Sequence, residues 1–211
     1  DGRTFRKSHD IGTTDIAICV LPGSRRGEIK GLTRIFRQAA ELIAIKFPDA
    51  VFVFPTVPYL RDYLSESISD WPGRTVVVSS VADKFDAMQA CDVAMAASGT
   101  VSLELAMARL PHVIAYRMNA LTVSIVRALH GINQKYANLV NILLDCEVVP
   151  EFIQERCRAD LIADGVLELL SDREARERQL ASVDEALAKL WPDAGSPSNA
   201  AATVVLSLIG K

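Results

Sequence analysis

Residues 15–28 read DIAICVLPGSRRGE, and this stretch decides the fold class. The apolar run at 15–20 leads through a Pro-Gly turn, past two arginines, into a helical pattern. A continuously apolar strand followed by a helix is typical of a parallel sheet whose two faces are both covered by helices. Ligands bind such sheets at the carboxyl ends of the strands. The turn at 21–28 is therefore the first candidate site.

The rest of the chain repeats this alternation of apolar strands and amphipathic helices. Further strand-like runs lie at 50–54, 74–80, 92–97 and 111–116. The clearest helical pattern spans 28–46, where apolar residues recur at spacings of three and four until Pro48 ends it. Other helices are predicted at about 58–69, 83–91, 101–109 and 120–130. The pattern predicts an α/β fold with a doubly wound parallel sheet.

The two ends of the chain differ from this central part. Residues 1–14 are polar, contain two glycines and lack the apolar middle of a signal peptide, so we interpret them as a linker from a missing N-terminal domain. Residues 15–171 are expected to form the Rossmann-like domain. From 151 onward the pattern is helical, at 151–171, 172–190 and 199–210. Residues 172–211 are expected either to dock on another domain or subunit or to pack on their own sheet.

The composition argues against a disordered, nucleic-acid-binding, zinc-binding or disulfide-rich protein. Half of the residues are apolar, which is enough for a packed core, and the net charge of −3 does not indicate nucleic acid as a partner. The four cysteines show no C-x-x-C spacing and the three histidines do not cluster with them, so neither a zinc site nor a disulfide framework is predicted. Reduced thiols of this kind are typical of a cytoplasmic protein. No apolar run approaches the ~20 residues needed to span a bilayer.

The turn at 21–28 has the chemistry of an anion site. Gly23 lets the backbone approach a ligand closely, Ser24 supplies a hydroxyl, and the following helix presents free N–H groups. Arg25 adds a planar donor fork matched to phosphate oxygens. The turn lacks the G-x-G-x-x-G and G-K-[ST] patterns of other phosphate-binding loops. It favours a phosphate or pyrophosphate, with an ordinary capped turn and solvated arginines as the alternative.

A second turn of small residues follows the strand at 92–97. Ser98, Gly99 and Thr100 open another helix there, and Glu104 falls one turn into it. The turn offers hydroxyls and amides to an anion, and the carboxylate is suited to accept hydrogen bonds from the vicinal hydroxyls of a ribose. The alternative for Glu104 is an acid that complements the helix dipole.

A third stretch, LVNILLDCEVVPEFIQ at 139–154, contains polar residues among apolar ones. Asn141 needs hydrogen-bond partners if it is buried, and Glu151 is expected near a helix start after Pro150. Gln154 follows three residues later. These residues are candidate ligand contacts, but Asn141 is equally suited to tie a loop together and Glu151 to cap a helix.

Taken in order, these stretches resemble the motifs of one family. LPGSRRGEI, ASGTVSLE, PHVIAYRM and the pair VNILL and VVPEFIQ, within about residues 15–157, resemble lipid-A-disaccharide synthase, an inverting glycosyltransferase (family 19) with the two-domain GT-B fold. The resemblance implies the carboxyl-terminal, UDP-sugar-binding half of the enzyme. It implies transfer of 2,3-diacylglucosamine from its UDP conjugate to 2,3-diacylglucosamine 1-phosphate, which forms the lipid A disaccharide of Gram-negative bacteria and releases UDP. The half that carries the acceptor pocket and the catalytic base is then missing.

The resemblance also assigns roles to residues. It implies that Arg25 is the catalytic residue of this half and stabilises the departing pyrophosphate. The other residues expected to contact the UDP-sugar are Gly23, Ser24, Ser98, Gly99, Thr100, Glu104, Asn141 and Gln154. The chain has no D-x-D motif, so no metal and no cofactor are expected, and arginine, amides and helix dipoles must carry the charge. The family usually reads Leu-Pro-Asn where this chain has Leu139-Val140-Asn141, so the asparagine is kept but the proline that fixes the backbone φ is not.

Acylated substrates imply work at a bilayer, so we expect peripheral attachment to the inner face of the cytoplasmic membrane. Residues 116–131 are either a surface-binding segment or an ordinary amphipathic helix that covers the sheet. The family suggests a homodimer formed through the carboxyl-terminal helices. Three alternatives stay open: a UDP-binding module without activity, another UDP-sugar enzyme such as a 2-epimerase, and a domain without a ligand.

Overall fold

The structure is a computed structural model that describes residues 1–117, 135–190 and 197–209. Its centre is a sheet of six parallel strands in the order β3-β2-β1-β4-β5-β6. The strands are β1 (Ala17–Leu21), β2 (Val51–Pro55), β3 (Arg74–Val78), β4 (Val93–Ala97), β5 (His112–Tyr116) and β6 (Glu151–Ile153). The order reverses between β1 and β4, which confirms the predicted doubly wound parallel sheet.

Helices cover both faces of this sheet. They are α1 (Gly2–Ser8), α2 (Arg26–Lys46), α3 (Arg61–Ser67), α4 (Val81–Ala90), α5 (Val101–Met107), α6 (Leu139–Leu144), α7 (Ala159–Ser171), α8 (Arg173–Leu190) and α9 (Pro197–Ile209), with 3₁₀ turns at Pro58–Leu60 and Gln154–Arg156. The predicted helix at 120–130 lies outside the described residues.

Alternate residues of the strands enter two separate cores. In β1, Ile18 and Val20 pack on the side of α2 and α7, whereas Cys19 and Leu21 pack on the side of α4 and α5. Every residue of β1, β2 and β4 is buried. The continuously apolar runs in the sequence therefore reflect strands that are covered on both faces.

The amino-terminal segment differs from the predicted linker at 1–14. Residues 2–8 form helix α1, whose start is capped by the Asp1 carboxylate and which packs against α4. Phe5 is buried, and Arg6 Nε donates to the carbonyl of Ala90 (2.7 Å) while its Nη2 contacts Asp92 (3.0 Å). This segment is thus packed onto the domain, because the apolar Phe5 and Ile11 and the basic Arg6 anchor an otherwise polar stretch.

The helix predicted at 151–171 is wrong for residues 151–158, because α7 begins only at Ala159. Residues Glu151–Ile153 form strand β6, which pairs with β5, and a 3₁₀ turn separates it from α7. The backbone N–H of Ile114 donates to Pro150 O (2.9 Å), which starts the ladder. A three-residue strand is too short to show a period in the sequence, so the helical pattern that follows conceals it.

The two carboxyl-terminal helices differ in how much of their apolar surface is buried. Helix α8 packs against α5, α6 and α7 and buries Val183 and Ala186, so it covers its own domain. In α9, by contrast, Val204, Val205 and Leu206 are exposed. None of the helices in the described part of the chain combines the length and the apolar character needed to cross a membrane.

Candidate functional site

A cleft of about 360 Å³ opens at the carboxyl edge of the sheet, where the strand order reverses. We call it the β1–β4 cleft. The ends of β1, β2 and β4 form its floor through Leu21, Pro55 and Ala97. The other lining residues are Gly23, Ser24, Arg25, Glu28, Thr56, Val57, Lys84, Ser98, Gly99, Thr100, Val101 and Glu104. The two predicted phosphate-binding turns therefore meet in one place.

The turn after β1 is held in an unusual backbone conformation. Gly23 has a φ of 127°, and a Cβ placed there would lie 2.5 Å from Glu28 Cβ. Only glycine fits this position without displacing the start of α2. The Ser24 N–H donates to Glu28 Oε2 (2.9 Å), and the Tyr59 hydroxyl donates to Ser24 O (2.9 Å). The turn is thus fixed by hydrogen bonds on both sides.

Arg25 stands at the N-cap of α2, and its side chain is largely exposed to solvent. Its side chain is 81% exposed, and Nη1 contacts Glu28 Oε1 at 3.0 Å. The first helical hydrogen bond runs from Ile29 N–H to Arg25 O (3.0 Å), so the preceding amides begin the helix without intrahelical acceptors. Arg26 points elsewhere and lies over the Tyr63 ring, 5.2 Å from its centre. Arg25 is therefore the arginine that faces the cleft.

The turn after β4 supplies the opposite wall. Gly99 has a φ of 152°, and its carbonyl accepts from the hydroxyl of Ser102 (2.9 Å). Ser98 is fixed through its N–H to Ala115 O (3.1 Å) and its hydroxyl to Ala137 O (3.4 Å). Thr100 begins α5 without a side-chain capping bond, so its exposed hydroxyl is available to a ligand.

Glu104 is paired with a residue that the sequence analysis does not identify. Its Oε2 lies 2.5 Å from Lys84 Nζ, and the two side chains are 32% and 27% exposed. Lys84 comes from α4, which follows β3, so no motif links it to Glu104 in the sequence. The signal that could have identified Lys84 was its position one turn into a helix that starts at the same edge of the sheet.

The charges that line the cleft are balanced in pairs. Arg25 is paired with Glu28, and Lys84 with Glu104. Each cation is held beside a carboxylate, so both donors are already oriented before a ligand arrives. An anion with several oxygens can take hydrogen bonds from the guanidinium and from the amides at the start of α2 together.

A third strand end also enters the cleft. Thr56 follows β2, and its N–H donates to Val78 O (2.8 Å). Its hydroxyl oxygen is buried and has no hydrogen-bond partner among the described residues. The sequence analysis considers the turns after β1 and β4 and the stretch at 139–154, but not the end of β2, and so it misses Thr56. It also assigns no role to Glu28.

Asn141 and Glu151 lie outside the cleft in a buried network. Asn141 Nδ2 donates to Val149 O and to Glu151 Oε1 (both 2.7 Å), and its Oδ1 accepts from the amides of Val148 and Val149 (both 2.9 Å). Glu151 also accepts from the amides of Ala137 and Asn138 (both 2.8 Å). Asn141 thus makes its hydrogen bonds within its own loop, which favours the interpretation that it ties this loop together. Glu151 begins strand β6 and not a helix, and its carboxylate accepts the N–H of Asn138, the N-cap residue of α6.

Gln154 occupies a different part of the same sheet edge. It follows β6 with a φ of 52°, and its Nε2 is buried without a partner among the described residues. It does not line the β1–β4 cleft. In the described part of the chain, His, Cys, Asp and Glu side chains form no group of three that could hold a metal ion.

The fold and the position of the cleft define a class. The chain has the Rossmann-like sheet of one half of a GT-B glycosyltransferase, with its cleft at the switch point of the strand order. It superposes on the solved C-terminal CMP-Kdo binding domain of WaaA from Acinetobacter baumannii with a TM-score of 0.61 at 11% identity, covering 88% of this chain and 95% of that one. At this identity the likeness shows the fold alone.

The family follows from the sequence comparisons. The family model described as lipid-A-disaccharide synthetase matches residues 2–204. A lipid-A-disaccharide synthase of Paramagnetospirillum magneticum is 43% identical over 209 residues, covering 99% of this chain and 53% of that protein. One of Rhodospirillum centenum is 41% identical over 211 residues, covering 100% and 52%. The chain belongs to the lipid-A-disaccharide synthetase family, and it spans about half the length of the curated relatives it matches.

Proposed function

We propose that this chain is the UDP-sugar-binding half of an enzyme that forms the lipid A disaccharide. The full-length enzyme would transfer 2,3-diacylglucosamine from its UDP conjugate to 2,3-diacylglucosamine 1-phosphate and release UDP. The observation that carries the proposal is the meeting of the turns at 23–25 and 98–100 in one cleft, in a chain of this family. Other UDP-sugar enzymes such as a 2-epimerase are not favoured, because the family match extends over almost the whole chain.

The transfer reaction requires stabilisation of the negative charge on the departing UDP, and residues of this half are suited to provide it. The acceptor 6-hydroxyl oxygen forms a bond to the anomeric carbon, and its proton passes to a base that we place in the other half. The bond from the anomeric carbon to the phosphate oxygen breaks, and UDP leaves with the electron pair. The developing negative charge falls where Arg25, the amides at the start of α2 and the Thr100 hydroxyl converge. Such preoriented donors stabilise the charge without reorganisation.

The remaining contacts follow from the shape of the cleft. Glu104 stands at its edge and is suited to accept hydrogen bonds from the ribose hydroxyls. Gly23, Ser24, Ser98 and Gly99 allow close approach of the backbone to the diphosphate. Gln154 stays a proposed donor-side contact, because its unpartnered amide lies at the same edge of the sheet. We place Asn141 in the loop network and expect only an indirect effect on the donor.

The proposal also includes where the enzyme acts and which surfaces it contacts. Both substrates carry acyl chains, so we place the enzyme in the cytoplasm, peripherally attached to the inner face of the cytoplasmic membrane. Most of the segment 116–131 lies outside the described residues, and the membrane role considered for it stays a hypothesis. The exposed apolar residues of α9 are suited to dock on the missing half or on a second subunit.

Calorimetric titration with UDP tests the proposal on the 211-residue chain. We expect one UDP to bind per chain, and no sugar transfer by this chain alone, because the base lies in the other half. Transfer is expected once the upstream half is restored in a full-length protein. Absence of UDP binding would refute the site, and UDP binding without transfer by the full-length protein would refute the enzyme.

A further inference from the structure

Lys84 is the one cation from α4 among the residues that line the cleft, and the function proposed above leaves it unused. Its ammonium reaches across to α5 and contacts Glu104 Oε2 at 2.5 Å. We propose that Lys84 positions the Glu104 carboxylate for the ribose hydroxyls of the nucleotide. This inference rests on the proposed function and adds a positioning residue to it.

The backbone that carries Lys84 is held firmly. Ser80 caps α4, since its hydroxyl accepts from the Asp83 N–H (3.0 Å), and the Lys84 N–H donates to Ser80 O (3.1 Å). One turn further along α4, Ala87 and Met88 are buried in the core. The helix start is therefore fixed relative to the sheet edge, and Lys84 approaches the cleft from a defined position.

The helix that carries Glu104 is anchored in the same way. Its neighbours Leu105 and Ala106 are fully buried, so the first turn of α5 cannot shift without disturbing the core. The ion pair thus joins two fixed helices that both line the cleft. A carboxylate can accept several hydrogen bonds through its two oxygens, so the contact with Lys84 leaves capacity for ribose hydroxyls.

The charge of Lys84 serves a second purpose. A carboxylate beside a bound diphosphate would repel it, and this repulsion grows as the site is shielded from water. Lys84 offsets the charge of Glu104 while restricting its rotamers. Without Lys84, Glu104 is expected to turn toward solvent and lose its contact with the ribose. The effect should therefore depend on the ribose hydroxyls of the ligand.

The test compares UDP with 2′-deoxy-UDP, which lacks one of the hydroxyls. We expect the wild-type chain to bind UDP about tenfold or more tightly than 2′-deoxy-UDP, as for loss of a hydrogen bond to a charged group. In Lys84→Met this preference should fall close to one, and in Lys84→Arg it should largely remain. Lys189→Met is the matched control, because it removes a similar ion pair with Glu185 (3.2 Å) outside the cleft.

The outcomes of the titrations distinguish failure of the inference about Lys84 from failure of the proposed function. A Lys84→Met chain that keeps the preference overturns the inference, whether or not it binds both ligands more weakly, because Lys84 then does not act through the ribose hydroxyls. A wild-type chain without preference overturns it as well. Failure of the wild-type chain to bind UDP at all instead refutes the proposed function. Lys84→Gln provides a second neutral variant if Lys84→Met does not fold, and its ligand preference decides the inference on the same terms.

Discussion

The carboxylate of Glu28 holds the guanidinium of Arg25 at the start of helix α2, with 3.0 Å between Glu28 Oε1 and Arg25 Nη1. The other oxygen, Oε2, accepts the Ser24 N–H (2.9 Å). Glu28 therefore occupies donors that a diphosphate would use, and it keeps them oriented toward the cleft. An arriving ligand meets an arranged set of donors, so little reorganisation is required when charge develops.

Replacement of Arg25 by alanine is expected to slow sugar transfer by about a hundred- to a thousand-fold in the full-length enzyme. Loss of one preoriented electrostatic contact typically costs about 3–4 kcal/mol in the transition state. The free energy of unfolding should change by no more than about 0.5 kcal/mol, since the side chain is 81% exposed. Steady-state transfer rates and urea unfolding measure the two effects.

Arg173→Ala is a matched control for this experiment. Arg173 is 82% exposed and contacts a glutamate of its own helix, Glu177, at 2.6 Å, but it lies on α8 outside the cleft. Its replacement should leave transfer unchanged. Near-normal turnover in Arg25→Ala would contradict the role of Arg25 as stabiliser of the leaving group.

Much of the fold could be predicted because burial on both faces leaves a direct trace in the sequence. The runs DIAICV and DVAMAA are apolar throughout because every residue of β1 and β4 is covered. Strand β6 left no such trace, since its three residues include the polar Glu151, whose partners are amides of a distant loop. Helix α1 was missed because Phe5 is its only buried residue.

The candidate site was predictable where the ligand contacts lie in a turn between a strand and a helix. The residues around Arg25 and Thr100 have that character and line one cleft. Lys84 and Thr56 come from other strand ends, and only the order of the strands brings them there. Asn141 shows the converse difficulty, because a sequence cannot distinguish an amide that binds a ligand from one that makes its hydrogen bonds within a loop.

Asn141→Ala is expected to destabilise the fold without a direct effect on UDP. The substitution removes four side-chain hydrogen bonds, and the buried N–H and carbonyl of Val149 lose the partners that Asn141 supplied. The Glu151 carboxylate loses one of the three hydrogen bonds that it accepts. Each such group costs about 1–3 kcal/mol, so a loss of roughly 3 kcal/mol or more in the free energy of unfolding is expected. Urea denaturation measures it, and Ile142→Ala, an exposed neighbour on α6, is the control. Weaker UDP binding with unchanged stability would instead make Asn141 a donor contact.

Phe5→Ala tests whether the amino-terminal segment belongs to the domain. Phe5 is 4% exposed and packs in the core formed on the α4 side of the sheet. Loss of a buried phenyl group is expected to lower the free energy of unfolding by about 3 kcal/mol. Lys7→Ala, on the exposed side of the same helix, should change it by less than about 0.5 kcal/mol. Equal unfolding curves for Phe5→Ala and the wild type would restore the linker interpretation.

His112 gives the fold a dependence on pH. Its side chain is fully buried, its Nδ1 donates to Leu110 O (2.9 Å), and its Nε2 has no partner among the described residues. Its backbone is clamped by Gln179, which accepts from the His112 N–H (2.8 Å) and donates to the His112 carbonyl (3.0 Å). Burial lowers the pKa of His112 from 6.5 to about 4, so the folded chain keeps the imidazole neutral.

Stability is therefore expected to fall as the pH is lowered from 6.5 to about 4. In this window the unfolded chain binds a proton at His112 and the folded chain does not, which favours unfolding by about 1.4 kcal/mol per pH unit. Above pH 6.5 the residue is neutral in both states and contributes no slope. Urea denaturation from pH 7 to 4.5 should show a shallower loss in His112→Gln than in the wild type, because the glutamine binds no proton in the unfolded chain. Parallel curves would mean that His112 is protonated in the folded chain.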